Sequence, residues 1–559
     1  MSRSARLSRS RWLSVLLASG LASVGAAAIG AVGTNVTAWA ASTDVLSSNQ
    51  SNAGPYQDSF NPYLSTSAAS TAGLQSMIYE PLLQYDGAKP SNVYPWLATS
   101  YKSLNHNRTF LFYLRHNVQW SDGTPFTASD VVFTFDALKR NPAINTNGIQ
   151  FTSVTAVNKY EVKFQLASPN ASEFYYIATT YIVPEHIWHS VNPSTYADSS
   201  PVGTGPYVLK SFATTDIQLT ANPHYWGGAP HVATLNFPMA DSDQSADTMM
   251  AAGGAQWGGH NFGNVAKLYT NGDAKYRHFW YIPTTSIQLL PNLTQYPFNN
   301  VDFRKALSDS INRFAIQNEA EHGYEYAIKT PTGLLLPNFS NELAPQFKNL
   351  HYNQNLAAAR ALLAKAGFTR KGSGPLIGKN GKPVALTIVL PSPYFDWFTV
   401  ADILSSQWKA LGIKLNVQGV SLGTWQSDEA LGNFGLTLNV GNSGPSQYYI
   451  YNGLLNNKLT ASIGQTATGY LERWNSAATQ KLLGAYESGT PAQQAAALDG
   501  LESVVVNDVP YIPLIYQSGW FQYSNKDFVG WPTAQQPYAI GAPNGLNAEL
   551  VVLHLRPRS

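Results

Sequence analysis

Cysteine is absent from all 559 residues. That excludes disulfides, thiolate metal centres and a lipid-bearing cysteine behind a leader. Charge is scarce too: Asp, Glu, Lys and Arg make up 12% of the chain, against about 25% in ordinary soluble domains. The formal net charge is only +2, and no long Lys/Arg run occurs, so nothing points to nucleic acid or an anionic membrane surface. Neither G-x-x-x-x-G-K-[ST] nor H-E-x-x-H is present, which removes the P-loop and zincin signatures. What remains is 44% hydrophobic residues, enough to fill a core, with abundant Asn, Gln, Ser, Thr and aromatics. A surface so poor in charge suits an acidic habitat, where carboxylates are partly protonated.

The first forty residues differ from the rest. They hold Arg3, Arg6, Arg9 and Arg11, no acid, an apolar run from Trp12 to Val32, and Ala38-Trp39-Ala40 before Ala41. This pattern predicts a secretory signal peptide over residues 1–40, cleaved near Ala40. Without those four arginines, 31 Lys+Arg face 33 Asp+Glu, a net −2, so the basic balance belongs to the leader. No later stretch approaches the eighteen or more apolar residues that span a bilayer. The remaining 519 or so residues exceed one hydrophobic core and imply two or more domains.

The coarse pattern is α/β. Leu111–Trp120 reads as a strand, Ser121–Pro125 as a turn, and Thr127-x-x-Asp130 as a capping box for a helix burying Val131, Phe135 and Leu138. Leu386–Leu390, a helical pattern closed by Gly412, and the alternating KLNVQ read as a βαβ unit. Thr490-Pro491-Ala492-Gln493 opens a helix to about Asn507, and Val509–Tyr516 follows as a strand.

Several blocks occur in a telling order: NPYL at Asn61–Leu64, YEPLLQYD at Tyr79–Asp86, LRHNVQWSDGTPFTASDVVF at Leu114–Phe133, VGTGPYVL at Val202–Leu209, YWGGAP at Tyr225–Pro230, FRKALSDSINR at Phe303–Arg313 and AAARALLAKAGF at Ala357–Phe368. Together they resemble the family-five solute-binding proteins of ABC importers, a group with oligopeptide carriers and a cello-oligosaccharide branch. The resemblance implies a two-lobed periplasmic-binding-protein-like α/β fold, class II in its large three-domain variant, with a hinged ligand cleft. It further implies a first lobe from 41–84, 202–292 and 515–559, an inserted subdomain at 85–201, and a second lobe at 293–514. A secreted or periplasmic place is implied, with a small solute and ABC permease subunits as partners. The chain is expected to be a monomer with no cofactor and no nucleic-acid partner.

Signs of catalysis are weak. Gly203-Thr204-Gly205 lacks the third glycine of a dinucleotide loop, and Pro206 removes an N–H, so a tight strand-entry turn is expected there. Gly419-Val420-Ser421-Leu422-Gly423 fits G-x-S-x-G after a strand, yet the one histidine beyond it is His554, near the end. An extracytoplasmic hydrolase reusing the fold is the alternative that Ser421 keeps open. Glu185, His186 and His189 offer too few ligands for a metal site.

The ligand candidates lie in segments that match the family's cleft. Trp257, Asn261 and Phe262 form one set, Trp280 and Tyr281 with Asn292 a second, and Trp425, Asn439, Asn442, Gln447 and Tyr448 a third from the second lobe. Peptide-carrying relatives bear an aspartate for the α-ammonium in that third segment, but here no Asp or Glu occurs from Ala430 to Tyr470. Amides, hydroxyls and rings suit sugars, and N-S-G-P-x-x-Y-Y resembles the cello-oligosaccharide branch. Family frequency favours peptide, which an acid from another segment would serve.

Overall fold

The computed structural model describes residues 45–558 apart from 51–53, 91, 337, 470 and 546. The expected leader and its cleavage site lie outside the described residues. Three sheets of four or more strands organise the chain.

The first has seven strands. Val45–Asn49 lies at its centre, parallel to Thr234–Pro238 on one side, with Val45 opposite Thr234, and to Trp257–Gly258 on the other, with Ser48 opposite Trp257. A strand flanked on both sides has its backbone edges paired, and four of its five residues are buried. Asp216–Ala221 and Tyr207–Ala213 extend one edge, while Gln522–Ser524 and Arg277–Phe279 extend the other. Leu46, Phe60, Leu219, Leu235, Phe521 and Val551 belong to its core. The glycine turn before Tyr207 is the expected tight entry: a Cβ on Gly203 would sit 1.8 Å from the Ile78 carbonyl oxygen.

The second sheet runs Lys414–Val420, Ala385–Pro391, Leu436–Val440, Ile282–Pro291 and Ile512–Gly519. Its first two strands are parallel, Ala385 opposite Lys414 through Pro391 opposite Val420, joined by the helix Phe395–Lys409. That helix buries Trp397, Val400, Ala401, Leu404 and Trp408, the i, i+3, i+4, i+7, i+11 stripe of a helix laid on a sheet. Gly412 ends the crossover at φ +80°, and a side chain there would meet the Leu376 amide. This sheet takes in Ile282–Pro291, which begins eleven residues upstream of the boundary expected at 293, and extends to Gly519.

The third sheet, Ala98–Leu104, Thr109–Leu114, Glu161–Gln165 and Ser153–Asn158, is antiparallel and lies inside the expected insertion. The helix Ala128–Arg140 covers it, with the expected capping box: the Thr127 amide donates to Asp130 Oδ2 at 2.9 Å. The strand expected to reach Trp120 stops at Leu114. Beyond it the Arg115 amide bonds the Leu97 carbonyl, and Gln119 pairs with Pro125 in a small turn of its own.

Two side-by-side connections join the first and second sheets. Arg277–Phe279 passes through Trp280 and Tyr281 into Ile282–Pro291, and Ile512–Gly519 returns through Trp520 and Phe521 into Gln522–Ser524. The Trp280 amide donates to the Phe521 carbonyl at 2.9 Å, and the Tyr281 and Trp520 rings meet edge to face at 4.8 Å. A paired ribbon of this kind is where two lobes of a hinged protein bend.

Candidate functional site

The strand Leu436–Val440 ends in a loop, 441–446, that faces other parts of the chain. Thr285 holds it, its hydroxyl donating to the Gly441 carbonyl at 2.5 Å. Position 441 has no room for a side chain, since a Cβ would stand 2.7 Å from Gln288 Nε2 and 2.9 Å from Ser286 Oγ. Asn442 at the tip is exposed. It lines two cavities.

The first, about 610 Å³ including its mouth, lies between this loop, Thr284–Ser286 and Phe339 on one side and Tyr85–Gly87, Tyr175 and Ile540 on the other. Its acid, Asp86, is spent on its own turn, accepting the Ala88 and Lys89 amides and the Tyr94 hydroxyl. The second, about 740 Å³, is walled by Tyr176, Gln288, Asn439, Asn442, Asn452 and Glu472, among others. Both contain residues of the second sheet and of the segment 85–201.

Two carboxyls flank the stretch that lacks acids. Glu429 accepts the Asn439 amide on both oxygens, at 3.0 and 2.9 Å, and burial pushes it up to about 8 against the pull of Asn439 and Thr437. Glu472 is fully buried, neither oxygen has a hydrogen-bond partner, and burial pushes it up to about 8 although the Arg473 guanidinium favours its charge.

A third zone lies near the ribbon that joins the lobes. Asp396, in the first turn of Phe395–Lys409, lies deep in the molecule yet keeps part of its surface open to water. Asn261 of the first lobe reaches its carboxyl. Burial, and then the charge of Asp243 at the start of the helix Asp243–Ala251, raise it to about 6. Burial raises Glu321 and Glu325 well above the usual carboxylate range, helped by the charges of Glu325 and Asp396 on the former and of Asp396 on the latter, against the pull of the Ser518 amide on Glu325. Tyr281, Tyr324 and Tyr394, all partly exposed, lie around the same acids.

The residues expected at the site divide between wall and core. Asn439 and Asn442 line cavities, and Asn261 and Tyr281 reach the acidic zone. Trp257 is 0% exposed, its indole N–H donates to the Gly541 carbonyl at 2.6 Å, and its ring packs near Trp531, so it is no platform here. Trp425 is buried as well, with its N–H given to Thr437 Oγ1 at 2.8 Å and its edge to Trp397. Phe262 is buried beside His260, which pairs with Asp247 at 3.0 Å. Gln447 is buried, and Tyr448 stacks on Tyr486 with its hydroxyl bonded to Glu487. Trp280 lies in the interlobe ribbon and packs on the first core. Asn292 donates to the Gly432 and Phe434 carbonyls. Asp396, Glu321, Glu325 and Glu472 went unremarked in the sequence, where nothing marks a lone acid as lying beside a cleft.

Residues 92–460 match the family described as bacterial extracellular solute-binding proteins, family 5. The chain belongs to that family. Among curated relatives, the nickel-binding periplasmic protein of Escherichia coli K12 is 25% identical over 402 residues, 69% of this chain and 72% of that protein. A periplasmic oligopeptide-binding protein of Thermotoga maritima, solved with mannohexaose bound, superposes with a TM-score of 0.82 at 23% identity, over 92% of this chain and 99% of that one. The oligopeptide-binding protein AppA of Bacillus subtilis, solved with a nonapeptide, gives 0.76 at 20% identity, over 92% and 99%. The two-lobed α/β fold of family-5 proteins is therefore the fold of this chain. No helix among the described residues is long and apolar enough to cross a membrane.

Proposed function

We infer that this family-5 protein is the extracytoplasmic capture subunit of an ABC importer, closing its two lobes on an oligopeptide and delivering it to the membrane permease. The observation that carries the reading is the paired ribbon joining the two sheets, where the Trp280 amide donates to the Phe521 carbonyl, together with cavities walled both by the second sheet and by residues of 85–201. A solute placed there touches both walls only when the lobes close. Support for a peptide comes from the relatives, one of them solved with a nonapeptide.

A neutral oligosaccharide is the second reading, favoured by the wall of the cavities at Asn442. Asn439, Asn452, Gln288, Thr285 and Ser286 there both donate and accept, and Asp86 is already occupied. The mannohexaose bound to the Thermotoga protein accords with it. We read the chain as a carrier and not a catalyst. Ser421 caps its own helix, accepting the Thr424 amide, and His554 Nδ1 is bonded to the Leu550 carbonyl.

The test is a thermal-shift screen of the mature protein against peptide and oligosaccharide panels, followed by small-angle scattering. A ligand at about a hundred times its Kd stabilises by about 2.7 kcal/mol, and the radius of gyration falls as the lobes close. A hit with an unchanged scattering profile would refute the closure.

A further inference from the structure

Three tyrosines from two distant segments meet beside the cavities at Asn442. The helix Glu173–Thr179 brings Tyr175 and Tyr176, which pack against the core of the second sheet and against that of the third. The helix Gln447–Leu455 brings Tyr449, whose ring centroid lies 4.8 Å from that of Tyr175 and 5.3 Å from that of Tyr176. Hydrogen bonds fasten the contact. The Tyr449 hydroxyl donates to the Ser172 carbonyl at 3.0 Å, the Asn452 amide to the Tyr176 hydroxyl at 3.4 Å, and the Ala171 backbone N–H to the Glu487 carbonyl at 2.9 Å. Tyr448 stacks on Tyr486 and donates to Glu487 Oε1 at 2.8 Å, which ties the helix Gln447–Leu455 to Ala477–Ser488 behind it.

This clasp has a different cavity on each side. Tyr175, with Tyr85 edge-on at 4.9 Å, lines the cavity of about 610 Å³, whereas Tyr176 and Asn452 line that of about 740 Å³. Among the described residues Asn442 alone belongs to both walls, and it is seated over Gly453, where a Cβ would stand 1.7 Å from its Nδ2. Tyr449, 5% exposed, belongs to neither wall. Each cavity alone falls within the range of about 300–1,000 Å³ that encloses one small solute.

We propose that Tyr175, Tyr176 and Tyr449 set the length of the solute: their clasp divides the space between the second sheet and the segment 85–201, and confines a bound chain to one side. This rests on the carrier reading above and adds a size limit to it. A short solute fills one cavity and leaves the clasp whole. A chain that runs from one cavity into the other must displace packed rings and leave the Tyr449 and Asn452 hydrogen bonds unmade, a cost that falls on long solutes alone.

The experiment exposes mature protein to a casein hydrolysate and to a cello-oligosaccharide ladder, removes free solute by gel filtration, and reads the retained chains by mass spectrometry. The readout is the ratio of long to short chains, which a general loss of affinity or of folded protein does not move. The wild type is expected to favour short chains. Tyr175→Ala with Tyr176→Ala raises the ratio by about tenfold, the worth of enclosing one further apolar group, while Tyr175→Phe with Tyr176→Phe keeps the rings and the wild-type profile. Asn442→Ala, at an exposed position, shifts the profile the same way and serves if melts show the alanine pair unfolded. An unchanged profile in a folded variant, or a wild type that already favours long chains, overturns the proposal and leaves the carrier reading standing. Retention of nothing by any of these proteins overturns both.

Discussion

Replacing Glu472 with Gln is predicted to stabilise the protein, by an amount that grows with pH. The carboxyl is fully buried, neither oxygen is hydrogen-bonded, and burial raises it from 4.5 to about 8. Because the folded value lies above the unfolded one, the folded state holds the proton longer. The stability is intact below about pH 4.5 and declines as pH rises toward 8. At about 1.4 kcal/mol per pH unit, the wild type loses about 3 kcal/mol by pH 7 and about 5 above pH 8, both upper bounds because a charged interior relaxes and admits water. Glutamine is neutral throughout and loses none of this. With an unfolding entropy of about 2 cal/mol/K per residue, a chain of this size shifts by about 1 °C per kcal/mol, so the melting temperatures should coincide near pH 4 and differ by about 2–3 °C at pH 7. Calorimetric melts of both proteins at pH 4, 5.5, 7 and 8.5 read this directly. Curves that run parallel across that range, or a wild type that gains on the variant as pH rises, would refute the reasoning.

Trp257→Ala and Trp425→Ala are expected to act on the fold, each costing about 3–5 kcal/mol in thermal or urea melts as buried large-to-small changes do, while any binding retained by the folded fraction keeps its affinity. Gly453→Ala acts on the site: its Cβ would stand 1.7 Å from Asn442 Nδ2, so the amide must leave the wall shared by both cavities, and titration calorimetry should show affinity falling by about 1 kcal/mol, the net worth of one hydrogen bond. Thr127→Ala removes a helix cap in the inserted subdomain and should lower stability by about 1 kcal/mol with no change in binding isotherms.

How far the fold could be read from the sequence depended on whether the signal was local. Thr127 and Asp130 are three residues apart and cap the helix that they announce, and Thr490, Pro491 and Gln493 open a helix that runs to Asp508. The parallel pair at 385–391 and 414–420 followed from its periods and from Gly412. Where the outcome hung on distant partners the reading slipped. Val118 and Trp120 keep up an alternating pattern past Leu114, but the Arg115 amide bonds Leu97 and the strand ends. Ile282–Pro291 lies before the boundary expected at 293 yet finds its neighbours at 436–440 and 512–519, far along the chain.

The site was harder still, because a tryptophan presents the same letters whether its ring faces a solute or a core. Trp257 and Trp425 each satisfy their one polar atom within the protein, and that closes the question of exposure in a way no spacing reveals. The acids show the converse. Scanning 430–470 for a carboxylate treats the ligand's partner as a local motif, whereas Glu321, Asp396 and Asp243 come from three segments and two lobes. Sequence distance carries no information about such a meeting.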